Sequence, residues 1–190
     1  MIRELRRPIK SIFLWAKHQG GRKDIDAAVN ANVLFYLGLS ADTEPVVKYL
    51  IDIINNKKEL DCDKWCRNPI ALYHFISRNY KTVTEINKIK EKNILRIFNY
   101  YNEDGSFGSS ALETALAIST LINFENSDKR LDKAAIFLAV TQQSSGCWDR
   151  NIFFYSGPSK AVGWGSEELT TAFCIEALNK YISVKILNAD

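Results

Sequence analysis

The sequence predicts an all-α protein of about four helical hairpins, and three observations support this fold class. Apolar residues recur with a period of about 3.6 along most of the 190 residues, and polar connections separate these stretches. Only 4 prolines and 9 glycines interrupt the pattern, and no stretch alternates strongly enough to predict a strand. Hydrophobic residues make up 46% and charged residues 25% of the chain, as in globular domains with a sizeable core.

The periodic stretches predict a series of helices, and several of them have recognisable ends. Asp42 or Thr43 caps the third helix, Thr82 precedes the fifth, and Ser127 precedes the seventh. Gly38 suits the end of the second helix, because glycine adopts the left-handed conformation of a C-terminal cap without steric cost. The predicted ranges are 3–17, 24–38, 43–56, 68–79, 82–101, 109–123, 128–142 and 166–186.

An internal repeat lies on every second helix. Thr114-Ala115, Ile118 and Leu121 recur as the same residue types 57 residues later, in the last predicted helix. The second helix fits the same register 84 residues earlier, and the fourth helix fits it more loosely. The repeated helices are the more apolar set, whereas the intervening helices carry most of the lysines and acids. Two alternating helix types imply an inner and an outer wall, as in an α/α-barrel or an open helical solenoid.

Charge and hydropathy exclude two classes of partner. The net charge of +3 is too small to indicate nucleic-acid binding, and no nucleic-acid motif accompanies the lysines. The apolar run between Met1 and Lys17 is too short for a membrane span, and no small-residue cleavage site follows it. We therefore expect a cytoplasmic protein without a nucleic-acid partner or a membrane span.

The cysteines predict no metal site. Cys62 and Cys66 lie four residues apart, but a structural zinc site needs four ligands. The chain has only 2 histidines, and neither has the spacing of a ligand. We expect the 4 cysteines to be free thiols in a reducing compartment, and we expect neither a metal ion nor a cofactor.

A sequence motif follows the seventh helix. The residues from Gln142 through Gly146 to Trp148 have the form Q-x-x-x-G-x-W. This pattern resembles the QW motif of squalene–hopene and oxidosqualene cyclases, and it lies where that family has it, between an outer and an inner helix. Weaker copies occur at the corresponding junctions, ending at Phe107 and at Trp65. The glycine permits the turn, and the glutamine amide can satisfy backbone groups at the helix ends.

The resemblance implies the α/α-toroid of terpene cyclases and protein prenyltransferases, built from prenyltransferase/squalene oxidase repeats. A full toroid of that superfamily has six hairpins, whereas the sequence predicts about four. Residues 1–190 therefore look like a single toroid domain that is incomplete on its N-terminal side. The remaining hairpins would lie on a complementary N-terminal chain, or the barrel would be open, or association with a second copy would complete it.

The resemblance also implies a candidate acid. Class II terpene cyclases protonate an alkene with the middle acid of a D-x-D-D motif at the head of an inner helix. Asp24 and Asp26 match the first two acids, and the sequence departs from the motif at Ala27. Asp26 falls on the position of the proton donor. The alternative is that Asp24 or Asp26 caps the helix and complements its dipole.

Other residues are candidates for ligand contact in such a toroid. Asn30 shares a helix face with Asp26, and this polar patch is either a packing network or a ligand contact. Tyr73 lies in the repeat register of its helix, and Glu113 lies near the rim, where it is either a base or a helix-start acid.

An aromatic segment between Asn151 and Trp164 lengthens the last repeat. Phe154 and Trp164 belong to this segment, which also contains glycine and proline. Aromatic faces stabilise carbocations, so the segment could line an isoprenoid pocket. It could equally plug an incomplete barrel.

The sequence is compatible with two functions. The first is a terpene-cyclase-like toroid protein that binds a hydrophobic, isoprenoid-type small molecule and cyclises it by acid initiation. The second is a non-catalytic binding or scaffolding module that associates with another chain. Ala27 favours the second, and the polar face of Asp26 and Asn30 favours the first. Protein prenyl transfer is disfavoured, because only Cys174 matches that family's zinc ligands.

Overall fold

The computed structural model describes residues 25–63, 65–66, 68–156 and 161–187. The chain forms a series of helices and one β-hairpin in these ranges. The α-helices are α1 (Ala27–Leu37), α2 (Glu44–Asn55), α3 (Pro69–Ser77), α4 (Lys90–Phe98), α5 (Ala111–Asn123), α6 (Arg130–Val140) and α7 (Glu167–Leu187). The all-α fold class is therefore confirmed, and the predicted helix at 3–17 lies outside the described residues. None of the described helices is long and apolar enough to cross a membrane.

The helices pack in two layers. α1, α3, α5 and α7 form the first layer, in which each helix contacts the next one in chain order. α2, α4 and α6 form the second layer, with α2 against α1, α4 against α3, and α6 against both α5 and α7. The first layer contains the helices that carry the internal repeat. All 9 residues of α3 are buried, so the centre of the core lies in this layer.

The helix ends explain why the helices begin and stop where they do. The Asn68 side chain accepts a hydrogen bond of 2.9 Å from the first turn of α3, and Ser110 does the same for α5 at 3.2 Å. Gly38 follows α1 with φ of 73°, a conformation that favours glycine. The Thr43 hydroxyl donates to the Gly38 carbonyl at 2.7 Å and so joins the end of α1 to the start of α2.

The prediction of one continuous helix over 82–101 was wrong. Residues Thr84–Ile89 form a 3₁₀ helix, and the α-helix that follows ends at Phe98. Val83, Ile86 and Ile89 are fully buried, and their spacing of three residues matches the period of a 3₁₀ helix. The segment adopts the tighter 3₁₀ helix because this geometry buries all three side chains on one side. The apolar residues of this segment fit both the 3₁₀ period and the α-helical period. The prediction of one long α-helix took the second of these, which the structure contradicts.

Two short strands form in a segment whose sequence pattern is too weak to predict them. The aromatic segment contains the antiparallel strands β1 (Phe154–Ser156) and β2 (Val162–Trp164). Phe154 lies opposite Trp164, and Tyr155 lies opposite Gly163. Aromatic and β-branched residues favour strands, but the two strands are too short for their pattern to stand out in the sequence.

The Gln142–Trp148 junction connects the two layers. Trp148 is buried, its indole Nε1 donates to the Leu138 carbonyl of α6 at 2.9 Å, and its backbone N–H donates to the Thr171 hydroxyl of α7 at 3.1 Å. The Gln142 amide donates to the Gly146 carbonyl at 2.8 Å, and Gly146 has φ of 85°. The motif therefore closes the turn and fixes the end of α6 against the start of α7.

The preceding junction repeats part of this arrangement. Phe107 is buried, and its backbone N–H donates to the Thr114 hydroxyl of α5 at 3.0 Å. Thr114 and Thr171 are the repeated threonines of the sequence. In both junctions a buried aromatic residue is therefore bound through its backbone to the first turn of the next first-layer helix.

We predict that Trp148→Ala lowers the free energy of unfolding by about 3–5 kcal/mol, because it removes a large buried side chain and its hydrogen bond. Cys147→Ala is the matched control, because Cys147 is half-buried and lies beside the indole in sequence. It should change stability little. Denaturant titrations followed by circular dichroism measure both effects. Small and equal changes in the two variants would contradict a structural role for the motif.

Candidate functional site

Two acids meet at the end of the first layer where its helices begin. Asp26 caps α1, and its carboxylate accepts a hydrogen bond of 2.9 Å from the backbone N–H of Val29. Asp63 lies in the connection between α2 and α3 and is buried. One of its carboxylate oxygens accepts backbone hydrogen bonds from Trp65 and Cys66, both at 2.7 Å. The connection therefore wraps around the Asp63 side chain and holds it beside Asp26.

The surroundings of Asp63 favour its protonated form. Burial raises the pKa of Asp63 to about 6, and the charge and hydrogen bond of the neighbouring Asp26 carboxyl act in the same direction. The two backbone N–H groups oppose this shift, because they stabilise the carboxylate. Asp63 therefore holds a proton under mildly acidic conditions, which an exposed aspartate does not.

The aromatic hairpin docks beside this acid pair. The backbone N–H of Tyr155 in β1 donates to the Trp65 carbonyl at 2.8 Å, and the Cys66 thiol lies 3.9 Å from the Phe153 carbonyl. The Phe153 ring packs on Phe75 of α3, with ring centres 6.1 Å apart. The hairpin thus contacts the segment that surrounds Asp63, although the two are about 90 residues apart in sequence.

Aromatic rings fill the space between α3 and α7. Phe153 lies 5.4 Å from Phe173 of α7, and Phe173 lies 5.7 Å from His74 of α3, measured between ring centres. His74 is buried, and its Nδ1 has no hydrogen-bond partner among the described residues. Burial lowers the pKa of His74 to about 4, and the positive charge of Lys180 contributes to this shift. The imidazole is therefore a neutral member of the aromatic cluster.

Two of the predicted ligand contacts lie within the packed fold. The Asn30 amide is buried and donates to the Asp26 carbonyl at 2.7 Å, at the start of α1. The Tyr73 hydroxyl donates to Glu59 at 3.3 Å, and Glu59 also forms an ion pair with Arg96 of α4. Tyr73 therefore lies at the contact between the layers.

Glu113 connects two helix starts. One carboxylate oxygen accepts from the Asn68 amide at 2.5 Å, and the other accepts from the Ser109 backbone at 2.5 Å. Of its two predicted roles, these contacts favour the helix-start acid. Phe154 and Trp164 stack on the hairpin with ring centres 6.3 Å apart, and they remain 41% and 50% exposed. Asp24 lies outside the described residues.

A polar network at the opposite end of the first layer was missed by the sequence analysis. Arg78 follows α3, donates to Asn32 of α1 at 2.9 Å, and lies 3.9 Å above the Phe35 ring. Lys180 of α7 donates to Asn123 of α5 at 3.2 Å. These residues come from four separate segments and follow no shared spacing, so no sequence pattern distinguishes them. A surface groove of about 450 Å³ adjoins Asn123 and Lys180.

The cysteines remain apart from any metal-binding arrangement in the part of the chain that the structure describes. No group of three or more histidine, cysteine or acidic side chains there is arranged so that it could hold a metal ion. The Cys62 thiol is buried and donates to the Glu59 carbonyl at 3.4 Å, and burial raises its pKa to about 12. Cys62 is therefore a thiol and not a thiolate at neutral pH.

Comparisons with known proteins show the fold and nothing narrower. No family model and no curated protein matches the chain. A crystal structure of a protein from Actinoplanes matches with a TM-score of 0.68 and 18% sequence identity. The match covers 81% of this chain and 55% of that one, so the chain spans little more than half the length of this structural relative.

We predict a pH-dependent stability that comes from Asp63. Its pKa is 3.8 when unperturbed and about 6 in the fold, so the folded state binds its proton more tightly than the unfolded chain does. Ionisation of Asp63 therefore costs stability as the pH rises through this interval. Relative to Asp63→Asn, the wild type should lose on the order of 2 kcal/mol between about pH 4 and pH 7.

Denaturant titrations across this pH range measure the difference between the two proteins. Asp61→Asn is the matched control, because Asp61 is an exposed acid two residues away. Its difference from the wild type should not show this fall. A difference between wild type and Asp63→Asn that stays constant with pH would contradict the raised pKa.

Proposed function

We propose that this chain is a terpene-cyclase-like α/α-toroid protein that binds a hydrophobic, isoprenoid-type molecule near the acid pair of Asp26 and Asp63. The observation that carries the proposal is the buried Asp63 carboxyl, which lies beside Asp26 and next to the docked aromatic hairpin and whose pKa is raised by burial. A carboxylic acid with a raised pKa and aromatic faces nearby are two elements that acid-initiated cyclisation uses.

The layered architecture supports the same proposal. Alternating first-layer and second-layer helices, together with the Gln142–Trp148 junction, are what the toroid resemblance implies. The D-x-D-D pattern has an acid directly after the proton donor, but this chain has Ala27 there, and Ala27 is buried in the core. In the proposed site Asp63 takes the place of that acid from a different segment. The remaining hairpins of a closed toroid would come from a complementary chain or from a second copy.

The proposed reaction begins with proton transfer. The Asp63 O–H bond breaks, and the alkene electron pair forms a new C–H bond, which leaves a carbocation on the ligand and a carboxylate on Asp63. The backbone N–H groups of Trp65 and Cys66 stabilise this carboxylate. The aromatic faces of the hairpin stabilise the cation, and loss of a proton from the cyclised ligand to the carboxylate restores the acid.

A second function, a non-catalytic binding or scaffolding module, is favoured by a separate observation. Phe75, Phe153 and Phe173 occupy the space between the hairpin, α3 and α7 that a ligand of this kind would need. Large apolar side chains at the end of α1 are exposed instead, with Phe35 at 45% and Leu37 at 61%. Exposed apolar surface of this kind usually marks an interaction site.

Ligand titration of the full chain distinguishes these functions. We predict that an isoprenoid diphosphate or a neutral triterpene changes the fluorescence of Trp65, which lies next to the acid pair. Trp65→Phe should remove the part of the signal that comes from this residue. Asp63→Asn should leave the affinity within about twofold and abolish cyclised product, because it keeps the acceptor oxygen and removes the transferable proton.

Asp26→Asn should also abolish product, and it keeps the cap because asparagine is an equally good N-cap residue. Asp61→Asn is the matched control and should stay active. Binding without product in the wild type would favour the non-catalytic function. The absence of any binding would contradict the ligand proposal, and an active Asp63→Asn variant would eliminate the acid role.

A further inference from the structure

The free face of α7 carries a regular apolar repeat. Ala172, Ile175, Asn179, Ile182 and Ile186 follow alternating spacings of three and four residues, which is the a/d pattern of a coiled coil. All of them are exposed, with Ile175 at 47%, Ile182 at 51% and Ile186 at 60%. We call these five residues the α7 seam.

The α7 seam is separate from the surface that holds α7 in the fold. Thr170, Cys174 and Ala177 are the buried residues of the helix, and they lie on the opposite side from the seam. α7 has 21 residues against 13 in α5, so its last turns continue beyond the part that repeats α5. Ile182 and Ile186 lie in this extension. The packing among the described residues therefore leaves the seam uncovered.

We propose that the α7 seam pairs with the same seam of a second copy of this chain, as a parallel two-helix coiled coil about a two-fold axis. Asn179 favours a second copy as the partner and a parallel orientation of the two helices. In a parallel pair, Asn179 meets the same residue of the second copy, and the two amides can bond each other. In an antiparallel pair, a positions meet d positions, and Asn179 would face Ile175.

The size and charge of the surface fit a second copy. The exposed isoleucines make an apolar patch on the order of a few hundred Å², the size that usually marks an interface. Pairing two such patches with their flanks would bury roughly 1,000 Å², which is about what a specific interface needs. The charged residues nearby are neutralised within each copy, since Glu176 pairs with Lys180 at 2.7 Å and Lys185 with Asp132 at 2.6 Å. Like charges therefore do not oppose the association.

This interface goes beyond the proposed ligand site and does not depend on it. The seam lies on α7, whereas Asp26 and Asp63 precede α1 and α3, so substitutions can test the two separately. Association through the seam would place two copies of the acid pair in a symmetric dimer.

Sedimentation equilibrium of the full chain tests the pairing. We predict a dimer in the wild type and a rise of at least about tenfold in its dissociation constant in Ile182→Glu, which places a charge in the seam. Ile136→Glu is the matched control, because Ile136 is an exposed isoleucine of α6, at 61%, outside the seam. It should dimerise like the wild type. Circular dichroism checks that both variants are folded.

Disulfide trapping tests the direction. Asn179→Cys should form a cross-linked dimer under mild oxidation, because a parallel pair brings the two copies of this position together. Ser183→Cys, which lies beside the seam, should cross-link less, and the wild type measures the background from its own thiols. A monomeric wild type at all concentrations would overturn the proposal. Equal dissociation constants for Ile182→Glu and Ile136→Glu, or no cross-link in Asn179→Cys, would overturn it as well.

Discussion

Burial of α3 is the constraint on which the rest of the structure depends. A helix of 9 residues with no exposed position must be covered on every side, and each neighbour contributes to that cover. α1 and α5 flank it within the first layer, α4 covers it from the second, and Phe153 and Phe173 close the remaining side. The hairpin docks where it does because α3 would otherwise expose Phe75 and His74. Asp63, which lies just before α3, takes its burial from the same packing.

The sequence predicted the parts of this fold that depend on local patterns. Helices with a clear amphipathic or repeated pattern were found within a few residues of their ends, and Gly38, Asn68 and Ser110 act as the local cap chemistry requires. The 3₁₀ helix was missed because Val83, Ile86 and Ile89 satisfy two periods, and only tertiary burial decides between them. The strands were missed because three residues are too few to display an alternation.

Only one of the two acids of the candidate site could be predicted from the sequence. Asp26 was found because its position at the head of a helix is a local feature. Asp63 lies at the glycine position of the weak copy of the tryptophan motif that ends at Trp65, and nothing local indicated that it would lie beside Asp26. Proximity of two acids from separate segments is a property of the tertiary fold, and so is the burial that raises the pKa of Asp63. The polar network of Arg78 and Lys180 was missed for the same reason.

The two junctions that end on Thr114 and Thr171 show how this fold accommodates connections of different length. The buried aromatic residue and the threonine that accepts its N–H are 7 residues apart at Phe107–Thr114 and 23 apart at Trp148–Thr171. The chain between the two anchors therefore varies threefold in length while the junction keeps its hydrogen bond. The whole β-hairpin occupies this interval, as an insertion between two fixed points. New loops can thus be grafted at one end of the helix array without changing the register of the helices, which makes this junction a natural place for relatives of the fold to diverge.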